Sequence, residues 1–576
     1  MARRGARPAL RLFAVLGFMT IALALILGRL VELQVVKAAA FASRGDRQRI
    51  RRVDLPAKRG TIFDRNGVPL AMSVDARAIY ANPHFIADPA MTAKAIAPII
   101  GIEPALIAQR LRRDAPFVYV ARKLDVAVAE RVLALHLPGI GSLEEMKRVY
   151  PAGPLAAQVI GMVGTDNVGL SGLEAEWDTV LRGVSGEEIL EQDPRGRPIP
   201  NGKSQMRPPV RGKDLVLTID RDIQFAAEQS LAQAIAKTGA KHGSALVLDP
   251  HTGDVLAMAN YPTFDPNAFA DATDAELRNA AVQDVYEPGS VNKIITAAAA
   301  LEGHIADPAD VLSIPNSYRI ADKTFHDFES HGTWRITYAE ALARSSNIGT
   351  IEVAQRVGKE RLYTMLRKFG LGSTTDVGFP AESGGLLLSL KDWYPTSIGT
   401  IPIGQGIAVT PLQIARVYST IANDGVSVRP RLVEAAGRSG PLSDETALDP
   451  QRVISAATAA QLRAMLIGVV EEGTGRNARI PGYLIGGKTG TAKKPKTGGR
   501  GYTHDVITTF VGMVPAEAPR FVAAVVLDAP DTHLSAVTAA PAFKAIVQFV
   551  VGRLDVPPSM PLDSTIATIA TRRTRP

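Results

Sequence analysis

Apolar positions along this chain fall into three regimes. The first is an unbroken run from Leu12 to Gly28, LFAVLGFMTIALALILG, which Leu30, Val31 and Leu33 prolong if Arg29 snorkels. Its length approaches the roughly 20 residues that span a hydrocarbon core, which predicts a membrane helix over residues 12–34. The run is long for the core of a signal peptide. The nearest small-residue cleavage site, Ala38-Ala39-Ala40, lies well past its end. An uncleaved single-pass anchor is therefore expected, because no later stretch is long and uncharged enough to span again.

The second regime, residues 35–212, changes texture repeatedly. RGTIFDRNGVPLA (Arg59 to Ala71) sets Asp64-Arg65-Asn66-Gly67 between two apolar triplets, the form of a hairpin turn with Asn-Gly supplying positive φ. Residues 91–135 are alanine-rich with helical spacing, and short strands with glycine turns return from Lys147 to Gly172. Gly183 to Arg211 is polar and proline-rich, as expected of a linker or an extended arm.

The third regime starts at Asp214. DLVLTID alternates like a strand, and residues 222–237 follow a helical period. GSALVLD and DVLAMAN flank a turn, and near the far end TTFVGMVP and RFVAAVVLD predict two more strands before a helix over 541–550. Roughly 250 residues of mostly helical pattern lie between. The expected fold is α/β (α+β): a body over residues 213–555 whose central antiparallel sheet is assembled from both of its ends and flanked by helices. Residues 1–11 form a tail before the membrane, 35–212 an elongated mixed domain, and 556–576 a disordered Pro/Thr-rich tail.

Composition and charge then narrow the function. The 576 residues contain no cysteine, which removes disulfides, thiolate metal sites and cysteine nucleophiles. A net charge of +8 invites a nucleic-acid ligand, yet residues 1–60 alone hold 13 Lys/Arg against Glu32, Asp46 and Asp54. The rest of the chain is slightly acidic, so no basic domain tracks phosphates and no nucleic acid is expected as a partner. Arg3, Arg4, Arg7 and Arg11 precede the apolar run, which puts the N-terminus in the cytoplasm and the body outside.

Three short motifs can carry chemistry. In EPGSVNK, Pro-Gly breaks the chain and Ser290 opens an alanine-rich helix, with Lys293 on the same face one turn on. A serine hydroxyl needs a neighbouring base, and a lysine serves once burial or another cation lowers its pKa. The helix N-terminus also offers backbone N–H groups to an oxyanion. The plain alternative is a capping serine beside a solvated lysine. In ARSSNIG, Ser345 and Asn347 offer a hydroxyl relay and an amide, or else a helix C-cap. Lys-Thr-Gly occurs at Lys237, Lys488 and Lys496. The first ends a helix and the third sits in a polar stretch. Only Lys488-Thr489-Gly490-Thr491 follows an ordered apolar lead-in, YLIGG, and continues as a strand on which Gly490 admits a close substrate backbone.

Ser-x-x-Lys, Ser-x-Asn and Lys-Thr-Gly in this order are the motif set of penicillin-binding proteins and β-lactamases. With RGTIFDRNG, Arg148-Val149-Tyr150-Pro151, GLSGLEAEWDTVLRG, GQGIAVTPLQ and GGKTGTA, the chain resembles a class B penicillin-binding protein over nearly its full length. Ser-Ser-Asn followed by Ile-Gly is closer to the division-type than to the elongation-type enzyme. Asn292 departs from the usual Phe or Met, and THLSAVTAAPAF lacks paired glycines before Ala-Pro. The resemblance implies a β-lactamase-like serine acyltransferase fold on a dimerisation-like pedestal. It also implies peptidoglycan D,D-transpeptidase activity on lipid II-derived stem peptides. Ser290 is then the nucleophile, and Lys293, or another lysine or serine, is the base. Ser345 acts as relay, Asn347 orients the donor, Lys488 and Thr489 hold its carboxylate, and Gly490 lets its backbone approach closely. Ser290 and Thr491 form the oxyanion hole. It further implies acylation by penicillin and other β-lactams, no metal or organic cofactor, an inner (plasma) membrane location, and as partners a SEDS-type glycan polymerase such as FtsW and other division proteins. An elongation-type enzyme, a β-lactam sensor or hydrolase, and a catalytically silent scaffold are the alternatives.

Overall fold

The computed structural model describes residues 8–191, 199–200, 202, 204–437, 450–496 and 501–559. Arg3, Arg4, Arg7, Thr497-Gly498 of the third Lys-Thr-Gly, and the tail from 560 onward lie outside the described residues. The apolar run forms the helix Pro8–Val31 and continues into a π-helical turn, Glu32–Val36. Among the described residues, Ala9–Val36 is the one helical segment apolar and long enough to cross a membrane, and none of its apolar window is buried against protein.

Two compact units form, and the first gathers the described residues of 1–58 and 183–211. The expected arm is in fact strand: Gly186–Glu191 lies between Ile50–Leu55 and Ser204–Arg207, antiparallel to both. Arg52 reaches Glu187 at 3.4 Å across the first pair. Cross-strand charge rather than an apolar stripe marks these strands, so hydropathy alone does not announce them.

The second unit joins 59–182 with 212–559. At its start the 64–67 hairpin turns as expected, although only Gly67 takes positive φ (+81°). Asp64 Oδ1 secures it by accepting from the N–H groups of Asn66 (2.9 Å) and Val68 (2.7 Å). The alanine-rich stretch is helical except for a strand, Val118–Asp125, which pairs with Pro69–Ala81 and buries Val118 and Val120. The same unit holds a buried ion cluster. Glu174 is fully buried and takes Arg59 at 2.5 Å and Arg148 at 2.6 Å, and Arg59 also reaches Asp178 at 2.6 Å.

The body comprises α1 (Arg221–Thr238), β1 (His242–Leu248), β2 (Val255–Tyr261), α2 (Lys293–Glu302), α3 (Asn347–Val357), α4 (Ala456–Glu471), β3 (Gly486–Pro495), β4 (Tyr502–Val514), β5 (Phe521–Asp528) and α5 (Ala539–Arg553). The sheet runs β2-β1-β5-β4-β3, antiparallel throughout. Strand alternation sorts the side chains to two faces. Ala245, Val247, Ala523 and Val525 pack with Leu231 of α1 and Phe543 and Ile546 of α5. Leu246, Leu248, Val522 and Ala524 join the larger core with Ile294 and Ile295 of α2. DLVLTID differs from expectation. It shortens to Leu215–Leu217 and leaves this sheet, pairing parallel with Ile62–Phe63 and antiparallel with Val433–Ala436.

Candidate active site

Ser290 stands in a 3₁₀ turn, Gly289–Asn292, that leads directly into α2. Gly289 has φ +59°, and a Cβ there would lie 2.6 Å from Thr491 O, so the Ser290 turn and β3 approach backbone to backbone. Gly289 N–H donates to Gly404 O (3.1 Å), and Tyr286 exchanges hydrogen bonds with Val409 at 3.0 and 2.9 Å. The GQGIAVT segment is thus the second support of the turn. Asn292 serves the same contact: it is fully buried, and its Nδ2 donates to Ile401 O at 2.8 Å.

The second motif lies at a junction between two helices. Tyr338–Ala343 ends before it, Ser345 takes φ +60°, and Ser346 caps α3 by accepting from Gly349 N–H at 2.9 Å. Asn347 is therefore the first residue of a new helix, not the cap of the old one. Its Nδ2 donates to His326 O at 2.9 Å. Lys488 lies on β3, opposite Val511 of β4.

These elements converge on one hydroxyl. Lys293 Nζ donates to Ser345 O at 2.5 Å and to Ser345 Oγ at 3.3 Å. Lys488 Nζ donates to the same Oγ at 2.9 Å and to Thr489 O at 3.2 Å. Both lysines are fully buried. Burial pushes Lys293 down to about 7, opposed by the charge of Asp327. Burial, and then the charge of Lys293, hold Lys488 well below the ordinary lysine range. Thr489 Oγ1 shares a hydrogen bond of 2.8 Å with Thr474 Oγ1, and Thr491 Oγ1 one of 3.2 Å with Ser535 Oγ. A Cβ on Gly490 would stand 2.8 Å from Pro288 O, so it is the chain's own Ser290 turn that crowds this glycine.

The other Lys-Thr-Gly sites differ. Lys237 is in the last turn of α1, with Gly239 as its left-handed C-cap (φ +66°). Lys496 ends the described part of its segment. Two buried amines thus meet on Ser345 Oγ, while the strand that carries Lys488 closely approaches the turn that places the Ser290 hydroxyl at a helix start.

A family model described as "Penicillin binding protein transpeptidase domain" matches residues 243–548, more than half of the chain. The chain belongs to the penicillin-binding protein transpeptidase family. A second model, "Penicillin-binding Protein dimerisation domain", matches residues 54–217. Penicillin-binding protein PbpB of Mycobacterium tuberculosis is 39% identical over 563 residues, covering 92% of this chain and 83% of that protein. Peptidoglycan D,D-transpeptidase FtsI of Escherichia coli K12 is 34% identical over 557 residues, 95% and 92% of the two chains. Penicillin-binding protein 3 from M. tuberculosis, solved in complex with ampicillin, superposes with a TM-score of 0.71 at 36% identity over 88% of this chain and 98% of that one. The class B resemblance and the fold class expected from the motifs are borne out.

Sequence reasoning missed two residues that the structure brings against the motifs, Asp327 and Thr474. Asp327 Oδ1 accepts from the N–H groups of Asn347 and Ile348 (3.1 Å), and its Oδ2 accepts from Ser346 Oγ at 2.7 Å. Thr474 reaches Thr489 from the loop after α4. Asp327 lies in a polar stretch, FHDFESHG, with no local signal. Its role comes only from the fold bringing that stretch against α3.

Proposed function

We propose that this chain is a peptidoglycan D,D-transpeptidase of septal wall synthesis, acting through a serine acyl-enzyme. Ser290 Oγ attacks the carbonyl of the penultimate D-alanine, and neutral Lys293 takes the hydroxyl proton. The N–H groups of Ser290 and Thr491 hold the oxyanion. The C–N bond to the terminal D-alanine breaks, and Ser345 delivers a proton to the leaving amine. Asn347 orients the donor strand, Lys488 and Thr489 form the seat of its carboxylate, and Gly490 lets its backbone approach closely. The amine of a second stem peptide then attacks the ester, forms the cross-link and releases Ser290. The observation that carries this reading is the meeting of Lys293 and Lys488 on Ser345 Oγ beside the Ser290 turn.

The same donor geometry makes penicillins substrates that stay attached. The N-terminal helix is the anchor in the inner membrane, its arginines holding the N-terminus in the cytoplasm, and a SEDS-type glycan polymerase such as FtsW is the partner that supplies strands. Full-length protein in detergent, incubated with benzylpenicillin, should gain one penicillin by intact mass, and Ser290→Ala should gain none. An unmodified wild type, or an adduct retained in the variant, sinks the catalytic assignment. Depletion in cells should give filaments; swollen rods would indicate the elongation role instead.

A further inference from the structure

Lys293 and Lys488 are both fully buried and share one hydroxyl, Ser345 Oγ, at 3.3 and 2.9 Å. Two ammonium groups so placed disfavour each other's charge in a site with little water. The anionic side chain acting on Lys293 is Asp327. This carboxylate lies outside all three motifs, and its side chain is only 4% exposed.

Asp327 is held from several directions. Its Oδ1 accepts from the first two N–H groups of α3, those of Asn347 and Ile348. Its Oδ2 accepts from Ser346 Oγ and faces His331 Nε2 at 3.1 Å. The His331 ring stacks on Trp334, with centroids 3.6 Å apart and planes 14° from parallel, and the Arg344 guanidinium lies 5.0 Å from the centroid of that indole. Arg344 and Ser345 are neighbours in sequence, so the chain of contacts closes on the second motif.

A carboxylate at a helix N-terminus is often no more than a stabiliser of that helix. Here the cap is already supplied by Ser346, which accepts from Gly349 N–H. Asp327 adds charge where a cap exists, and its field reaches Lys293. Among the described residues, the charged groups around Lys293 are Lys488 from β3 and Asp327, with His331 behind it. Helix α4, packed along α2, meets it instead at Glu302, which accepts from Thr458 Oγ1 at 2.6 Å at the far end from Lys293.

We propose that Asp327 is a positioning residue for acylation: seated on the first turn of α3, its carboxylate sets the charge balance of the Lys293–Lys488 pair and so the pH range in which Lys293 accepts the Ser290 proton. This rests on the transpeptidase reading above. Burial lowers the Lys293 pKa and Asp327 opposes it, so removing the carboxylate's charge lets the pKa fall further.

The test is the pH dependence of benzylpenicillin acylation in the full-length protein. Asp327→Asn and Asp327→Ser remove the charge but keep side chains suited to a helix N-terminus. In both, the acid limb should move down by about half a pH unit or more, so that the rate at pH 6 relative to pH 8 rises about 2.5-fold. Asp327→Glu should keep the limb in place even where the overall rate drops. His331→Phe, which retains a ring on Trp334 and leaves the carboxylate, should also keep it. A limb that stays put in a folded neutral variant overturns the proposal, as does one that moves in His331→Phe as far as expected for loss of charge. Wild-type protein that fails to acylate at all overturns the transpeptidase reading instead.

Discussion

Gly490→Ala tests how the nucleophile turn is held. The added Cβ would sit 2.8 Å from Pro288 O and 3.0 Å from Val291 Cγ1. Relief of the first contact to ordinary van der Waals distance requires the turn or β3 to move by about half an ångström. Pro288 precedes Gly289-Ser290 directly, so the shift passes to the attacking hydroxyl. A misplacement of about 1 Å costs on the order of 100-fold in rate, so half of that predicts a loss of roughly 10-fold. The accompanying overpacking predicts a stability loss of about 1–3 kcal/mol. Gly468→Ala is the control: it lies on α4 with no neighbour within 4 Å of the new methyl group. That substitution should raise stability by up to about 1 kcal/mol and leave the rate alone. The second-order acylation rate with a fluorescent penicillin and the thermal midpoint, read on all three proteins, decide the matter. Gly490→Ala acylating at the wild-type rate would refute the idea that this close approach positions Ser290.

Other outcomes follow from the same geometry. Because Lys293 must be neutral to accept a proton and is held down to about 7, wild-type acylation should rise with pH through about 7 and level above it; a rate falling over that range would contradict Lys293 as base. Its folded pKa lies below the unfolded value near 10.4, so the unfolded chain binds the extra proton and stability should increase with pH between about 7 and 10. Lys293→Met should show a shallower increase in urea midpoints over that range. Glu174→Ala strands Arg59 and Arg148 in the interior and should cost about 3–5 kcal/mol in chemical unfolding, with the acylation rate of the folded fraction unchanged; a silent substitution would remove the ion cluster from the stabilising contacts.

Much of this molecule is legible in its sequence wherever the signal is local. β1, β2 and β5 follow unbroken apolar stretches because both faces of their sheet are covered, so each strand is apolar on both sides. β4 begins earlier than TTFVGMVP suggests, at Tyr502, because its polar start pairs with the exposed end of β3. The strand Val118–Asp125 is hidden in alanine-rich surroundings, and Leu215–Leu217 alternates convincingly but joins a different sheet. At the site, Ser290, Lys293, Ser345, Asn347 and Lys488 announce themselves by spacing. Asp327 and Thr474 do not, since each acts through one tertiary contact that no periodicity encodes.

The order β2-β1-β5-β4-β3 also puts the strand made last at the centre of the sheet. β1 and β2 are made early, but the strand that pairs with β1 on its other side is β5, the last of the five to emerge. The early hairpin thus waits with one edge open while some 250 residues pass. Lys488 reaches Ser345 only after β3, which precedes β5 in the chain, has been zipped onto the sheet through β4. A chain halted before Phe521 therefore lacks the strand that joins β1 to β4, and with it the link that ties β3 to the early hairpin. On the proposed function, covalent capture of Ser290 by a β-lactam would then report a chain whose central sheet is finished.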